Sequence, residues 1–391
     1  MGFIAGYGLY NFYLGGCLGF LFLAFFAPKA RKTSKEKGYI TISEMVKDFI
    51  GVKTEKVSAL VIIVSVFLLI ALQFFVLGNF IHTLFNFSKV ASVLISCGVV
   101  ASYLLLGGYK TIVKTDILQF FIMLLVIPLL FFTPLKAENA LNFASIYQGQ
   151  TFLNFFLMAL FGFILSIAMG DFWQRIFSAS SEKTAKNGIL ACILSYLIMT
   201  IPMTLLGISA QGVLTSETIS DNALFTILNN PYYPKFMASF LSLILISTVM
   251  STIDTFTYLV SSTIIKDFSQ KNLNKTQYVK KSRVILFLLL ILSAIISFYI
   301  ESVIAYLFAI TGMFTILAPL FFLVGSGLIK TTSKKLDLMF SSSLLISLLA
   351  GVYFMINGFL FTSMTASLIL PAISTVLIIC SLFIFKYIKN K

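Results

Sequence analysis

Charged residues are scarce in this chain. Only 11% of its 391 residues are Asp, Glu, Lys or Arg, whereas 59% are hydrophobic. A soluble domain carries about 25% charged residues, and so few charges cannot cover the surface of a globule of this size. A water-soluble enzyme is therefore excluded, and the composition indicates a membrane protein.

The chain also lacks the residues that build common catalytic and metal centres. It has a single histidine, His82, and four cysteines with no C-x-x-C spacing. Neither a disulfide framework nor a zinc or iron–sulfur site is indicated. The absence of a His, Cys or paired-carboxylate constellation also disfavours an intramembrane enzyme. We expect no catalytic residue and no organic cofactor, cysteines that serve packing, and Trp173 at a membrane interface.

Long apolar segments are what the chain does have. They reach the length that a helix needs to cross about 30 Å of hydrocarbon, and they lack the ten-residue alternation of a membrane β-barrel. We predict eleven transmembrane helices, near residues 8–28, 57–84, 90–107, 116–134, 152–172, 188–210, 236–265, 284–300, 303–327, 338–358 and 366–386.

The basic residues are distributed unevenly between the two ends of these spans. Of 28 Lys and Arg, all but Lys89, Lys136 and Lys235 fall on the side that follows odd-numbered spans and holds the C-terminus. The positive-inside rule places that side in the cytoplasm of a plasma (cell inner) membrane protein. The net charge of +14 thus reflects topology and not a nucleic-acid partner. No basic segment precedes the first span, so we expect the chain to lack the first helices of a complete protein.

One face of the seventh predicted span is rich in hydroxyl groups. Thr248, Ser251, Thr252 and Thr255 recur at i, i+3, i+4 and i+7, with Asp254 on the flank of this stripe. Hydroxyl and carboxylate oxygens can replace the water shell of a hard monovalent cation. Alternatively, the hydroxyls bond to carbonyls of their own or a neighbouring helix.

A second polar site lies at the start of the fourth predicted span. Asp116 stands just inside the span, with Gln119 one turn further. The helix dipole favours a carboxylate at a helix N-terminus, so Thr115 or Asp116 acting as an N-cap is an equal alternative to a binding role. Asp171, at the end of the fifth span, is expected to form an interfacial ion pair with Arg175.

The longer connections, 29–56, 211–235 and 266–283, are too short to form domains. We therefore expect a single transmembrane domain over residues 1–391. In the first connection, Ser43 is placed to cap a short surface helix. The second is expected to hold a short amphipathic helix.

Four segments together are similar to motifs of the sodium:solute symporter family, and they occur in the order that the family has. They are APKARKTSKEKGYITISEMV, GGYKTIVKTDILQ, QRIFSASSEKTAKNG and MSTIDTFTYLVSSTIIKDF. The resemblance implies an all-α polytopic membrane protein with the LeuT-type fold of inverted repeats and binding sites at a broken helix. The repeats would span about 1–330, and further helices about 338–388. It also implies that the chain starts at or after the broken helix.

The resemblance further implies which residues bind sodium. Matching residues for a first site are Thr248 through its carbonyl and Ser251 and Thr252 through their hydroxyls; for a second site they are Asp116, Asp254 and Thr255. Asn11 and Gln73 are candidates for substrate contact, but they do not distinguish a sugar from an amino acid.

The function that the resemblance implies is sodium-coupled symport of a small organic solute by alternating access, with Na⁺ as the coupling ion and the lipid bilayer as the surroundings. The alternative is a transport-inactive membrane sensor or scaffold, or a non-functional fragment that retains the fold. Because the first helices are expected to be missing, we expect the chain not to perform sodium-coupled uptake at a normal rate. The solute and the oligomeric state are left open.

Overall fold

The structure, a computed structural model, describes residues 9–106, 109–130, 151–211, 234–268, 274–329 and 332–389. These residues form helices and connections, with no strand among them. The helices are α1 (Leu9–Lys37), α2 (Ile42–Phe49), α3 (Val52–Phe85), α4 (Lys89–Leu106), α5 (Tyr109–Met123), α6 (Val126–Leu129), α7 (Phe152–Ala168), α8 (Gly170–Ser178), α9 (Glu182–Gln211), α10 (Lys235–Thr263), α11 (Lys275–Ser297), α12 (Val303–Thr315), α13 (Ala318–Ser326), α14 (Lys334–Ile356) and α15 (Ile369–Lys389). A π-helical turn, Ile264–Phe268, continues α10.

Each predicted span coincides, over its described part, with a helix or two consecutive helices. Within the described residues, eight helical segments are long and apolar enough to cross a membrane, or nine if α7 and α8, bent by 46°, count as one span. The all-α multi-pass class is therefore confirmed. The count of eleven and the cytoplasmic C-terminus stay predictions.

Helix α3 lies at the centre of the bundle. It packs against α4, α10, α11, α12 and α14, and its side chains Val66, Ile70 and Phe74 are fully buried. A helix that is apolar on all sides is compatible with such a position, because it has no polar face that must contact water. The central core therefore joins helices from distant parts of the chain.

Small residues allow α1 to approach α7 closely. A Cβ atom at Gly15 would overlap the backbone of Ala159, and one at Gly162 would overlap the carbonyl of Phe12. Between membrane helices, such glycines replace side-chain bulk with backbone contact and close packing. These two glycines therefore serve the close contact between α1 and α7.

The short helix α2 differs from its prediction. Thr41, not Ser43, is the N-cap: its side chain accepts from the Glu44 amide at 3.2 Å, and the Glu44 carboxylate accepts from the Thr41 amide at 3.1 Å. This reciprocal capping box satisfies two amides that would otherwise lack partners. Ser43 and Val46 are fully buried, so the prediction of a surface helix capped by Ser43 was wrong.

Three further expectations differ from the structure, stay predictions or lie outside it. Helix α5 begins at Tyr109, so Asp116 lies about two turns inside the helix and is not its N-cap, and neither is Thr115. Trp173 is fully buried in the protein and donates from Nε1 to the Ile167 carbonyl at 2.9 Å; its position at a membrane interface stays a prediction. The amphipathic helix expected within 211–235 falls almost entirely outside the described residues.

The prediction that the cysteines serve packing agrees with the structure only in part. Cys17 and Cys97 are buried, Cys192 is half-buried and Cys380 is exposed. Cys380 therefore does not serve the core, because its side of α15 faces away from the bundle.

The C-terminal helices are fastened to the core by a buried carboxylate. Asp337, near the start of α14, accepts from the Thr54 amide at 2.8 Å and from the Lys53 amide at 3.1 Å. The Thr54 hydroxyl also donates to Asp337, at 2.8 Å. Asp337 thus caps α3 from a distant part of the chain, where a negative charge also favours the helix dipole.

Candidate functional site

Three helices bring a carboxylate, two hydroxyls and a guanidinium together. The Ser251 hydroxyl, on α10, donates to Asp116 Oδ1, on α5, at 2.7 Å. Arg175, on α8, donates from Nη2 to Asp116 Oδ2 at 3.2 Å and to the Thr255 hydroxyl at 3.2 Å. We call Asp116, Arg175, Ser251 and Thr255 the Asp116 cluster.

The break between α7 and α8 positions Arg175. Met169 adopts an extended backbone (φ −73°, ψ 116°) between the two helices, which are bent by 46° at this break. One residue before Arg175, Gln174 donates from Nε2 to the Ser262 hydroxyl at 2.6 Å. Helix α8 is therefore fastened to α10 at two levels, about two helical turns apart.

A small pocket with room for about one water molecule (about 10 Å³) opens beside the cluster. Its lining residues are Ile112, Val113, Asp116, Asp171, Gln174, Arg175, Thr255 and Tyr258. We expected Arg175 to pair with Asp171, but its salt bridge is with Asp116. Asp171 is buried, and its Oδ1 atom has no hydrogen-bond partner among the described residues. A second carboxylate therefore lies at the pocket.

Two hydroxyls of the α10 stripe bond to their own helix. The Thr248 hydroxyl donates to the Ile244 carbonyl at 2.8 Å, and the Thr252 hydroxyl donates to the Thr248 carbonyl at 2.8 Å. These two hydroxyls therefore bond to carbonyls of their own helix, which was the alternative to a role in cation binding. Their assignment to a first sodium site stays a prediction, whereas Ser251 and Thr255 reach across to neighbouring helices.

Asp254 contacts α4 rather than the Asp116 cluster. It is fully buried, and its Oδ1 atom accepts a hydrogen bond from the Tyr103 hydroxyl. Its Oδ2 atom has no partner among the described residues. Sequence reasoning missed Tyr103, because one tyrosine in an apolar span gives no signal of its partner. It also missed Gln174, although this residue stands in the motif QRIFSASSEKTAKNG.

The two candidates for substrate contact lie elsewhere. Asn11 is buried on α1, and Gln73 is half-buried on α3. Neither lines the pocket beside Asp116. Their role in substrate binding stays a prediction.

The arrangement of these helices is that of a known class of membrane transporter. The chain is similar to a solved structure of a Na⁺-coupled sialic acid symporter in a substrate-bound outward-open state, with a TM-score of 0.73. The match covers 98% of this chain and 90% of that chain at 14% sequence identity. At this identity the likeness shows the fold alone, which is the LeuT-type transporter fold expected from the sequence.

Sequence comparison gives the family. The model of the sodium:solute symporter family matches residues 1–325, and the chain belongs to that family. A sodium/pantothenate symporter from Haemophilus influenzae is 24% identical over 243 residues, which are 56% of this chain and 50% of that protein. The chain thus spans about half the length of the curated relative that it matches.

Proposed function

We propose that this protein is a sodium-coupled symporter of a small organic solute that works by alternating access. The observation that supports the proposal most is the Asp116 cluster, in which a carboxylate and two hydroxyls meet between the apolar helices α5 and α10. Oxygen ligands with one negative charge suit a hard monovalent cation. The membrane would be the plasma membrane, with the C-terminus in the cytoplasm.

The position of the cluster suits coupling. Its carboxylate and hydroxyls come from two helices, α5 and α10, so sodium bound there favours the arrangement that brings these two helices together. A charged residue within the membrane is costly unless it is paired or serves an ion path. Asp116 is already paired with Arg175, and exchange of the guanidinium for sodium would keep its charge compensated.

The solute is proposed from the relatives alone. They transport pantothenate and sialic acid, which are both hydroxylated carboxylic acids. We propose a small organic solute of this kind, and the experiment should include proline and hexoses because other family members carry them.

Uptake into liposomes tests the proposal. The purified chain is reconstituted, an inward sodium gradient is imposed, and pantothenate, sialic acid, proline and hexoses are offered in turn. Ser251→Ala should raise the sodium concentration for half-maximal uptake about five- to tenfold, because it removes one oxygen ligand that contributes about 1 kcal/mol.

Ser242→Ala is the matched control, because Ser242 lies on the same helix and donates to its own helix at the Ala238 carbonyl. Its sodium dependence should remain that of the wild type. An unchanged sodium dependence in Ser251→Ala would contradict the site. Sodium binding without accumulation of any solute would instead support the transport-inactive alternative.

A further inference from the structure

A basic cavity of about 650 Å³ lies where α1 ends and α9 begins. Four basic and two acidic residues line it, together with two serines: Arg31, Lys32, Lys35, Glu36, Ser180, Ser181, Glu182 and Lys183. The cavity is separate from the Asp116 cluster, with which it shares no residue. Its excess of positive charge favours an anionic ligand.

Two residues of the cavity are held by hydrogen bonds to the protein, whereas its three lysines are exposed to a ligand. Arg31 donates from Nη1 to the Phe177 carbonyl at 2.8 Å, and Ser181 caps α9 by accepting from the Thr184 amide at 3.0 Å. By contrast, the three lysines are exposed and form no ion pair with any other described residue. Their positive charges are therefore free to bind a ligand.

An exposed apolar stripe on each helix leads to this cavity. On α1 the stripe consists of Leu14, Leu18, Leu21 and Phe25, and on α9 it consists of Leu190, Leu194 and Ile201. Residues at spacings of three, four and seven share a helix face, and Lys32 and Lys183 each lie seven residues beyond the end of their stripe. Both stripes therefore end in a lysine of the cavity.

The two helices are direct neighbours, and we call the line of contact between them the α1–α9 seam. Tyr196 of α9 packs edge-on against Tyr13 and Phe20 of α1, with ring centroids 5.6 Å apart in both pairs. In a membrane protein, apolar side chains that are exposed on the outside of the helix bundle contact the acyl chains of lipids. The cavity thus lies where a lipid beside this seam carries its headgroup.

We propose that the cavity binds the phosphate of an anionic phospholipid whose acyl chains lie along the two stripes. Lysine ammonium groups bind phosphate as point charges, and basic clusters at the ends of transmembrane helices attract anionic lipid. A free phosphate would satisfy the charges alone. The continuation of the lysines into the apolar stripes favours a lipid as the ligand.

Lipid binding is measured by the thermal stability of the purified chain in detergent, titrated with dioleoylphosphatidylglycerol or dioleoylphosphatidylcholine. The cavity variant carries Lys32→Gln, Lys35→Gln and Lys183→Gln. The control variant carries Lys280→Gln, Lys281→Gln and Lys335→Gln, which removes the same charge from exposed positions on the same predicted side of the membrane. Glutamine keeps most of the side-chain stem, so both variants should unfold at the wild-type temperature in phosphatidylcholine.

Phosphatidylglycerol should stabilise the wild type and the control at similar concentrations. The cavity variant should need a phosphatidylglycerol concentration at least about tenfold higher, since it lacks three lysines that attract the anionic headgroup. If both variants needed the same higher concentration of phosphatidylglycerol, the effect would be a general attraction to anionic lipid, and the proposal would be overturned. Stabilisation of the wild type by phosphatidylcholine at the same concentration would also overturn it, as would full stabilisation by inorganic phosphate alone, which would identify a free anion as the ligand.

Discussion

Arg175 occupies one oxygen of the carboxylate that we propose as a sodium ligand, so it should compete with sodium. Its guanidinium donates to Asp116 Oδ2, while Ser251 donates to Oδ1. Sodium that binds Asp116 must displace or weaken the ion pair. Arg175→Gln should therefore strengthen sodium binding rather than weaken it.

The size of the effect follows from the exposure of the pair. Two unit charges about 4 Å apart interact by about 4 kcal/mol at an effective dielectric constant of 20. The Arg175 side chain is 43% exposed and that of Asp116 is 16% exposed, and exposed pairs contribute only about 0 to 1 kcal/mol after solvent screening and side-chain entropy. A value of about 1 kcal/mol corresponds to roughly fivefold tighter sodium binding.

The single tryptophan of the chain offers an assay of binding that does not depend on transport. Trp173 stands two residues before Arg175 on α8 and is fully buried. Its fluorescence should respond when sodium changes the contact between α8 and Asp116. Titration with sodium chloride, with choline chloride to hold the ionic strength constant, gives the half-saturating concentration.

Arg283→Gln serves as the control, because it removes one positive charge from an exposed position on α11. Its sodium affinity should equal that of the wild type. Asp116→Asn should abolish the response, both alone and combined with Arg175→Gln. The competition would be refuted if Arg175→Gln bound sodium with unchanged or lower affinity.

Two further predictions concern stability. Asp337→Asn should lower the unfolding temperature in detergent, because the charge that caps the Thr54 and Lys53 amides is lost, at a cost of about 1 to 2 kcal/mol; equal stability would show that the neutral amide caps equally well. Gly162→Ala should destabilise by about 1 to 3 kcal/mol because its Cβ meets the Phe12 backbone, whereas Gly188→Ala, in open space, should stabilise by up to about 1 kcal/mol; the same sign in both would contradict the close contact.

The fold class could be predicted because its signal is local. The length of an apolar segment and its residue types can be determined from that segment alone, and the predicted spans therefore coincide with helices. The N-cap of a helix is harder to predict from the sequence, since several neighbouring residues have side chains that can cap it. Thr41 rather than Ser43 takes the cap because its side chain and Glu44 complete a reciprocal pair.

The candidate site was predictable only in its residue types. The stripe on α10 identified Ser251 and Thr255 as hydroxyls on one face, and the motif in α5 identified Asp116. No local pattern shows that Ser251 contacts a carboxylate 135 positions away, or that Thr252 bonds to its own helix.

The bent helix α8 connects the proposed ion site with the packing of the bundle. Arg175 and Gln174 fasten it to α10 at Thr255 and Ser262, and the intervening distance is about 10 Å along α10. A rotation of α8 away from α10 must break both contacts, since each is a single hydrogen bond between side chains that cannot lengthen far without being lost. Sodium that displaces Arg175 removes one of the two. The hydrogen bond through Gln174 to Ser262 then remains, so occupancy of Asp116 lowers the cost of moving α8 away from α10.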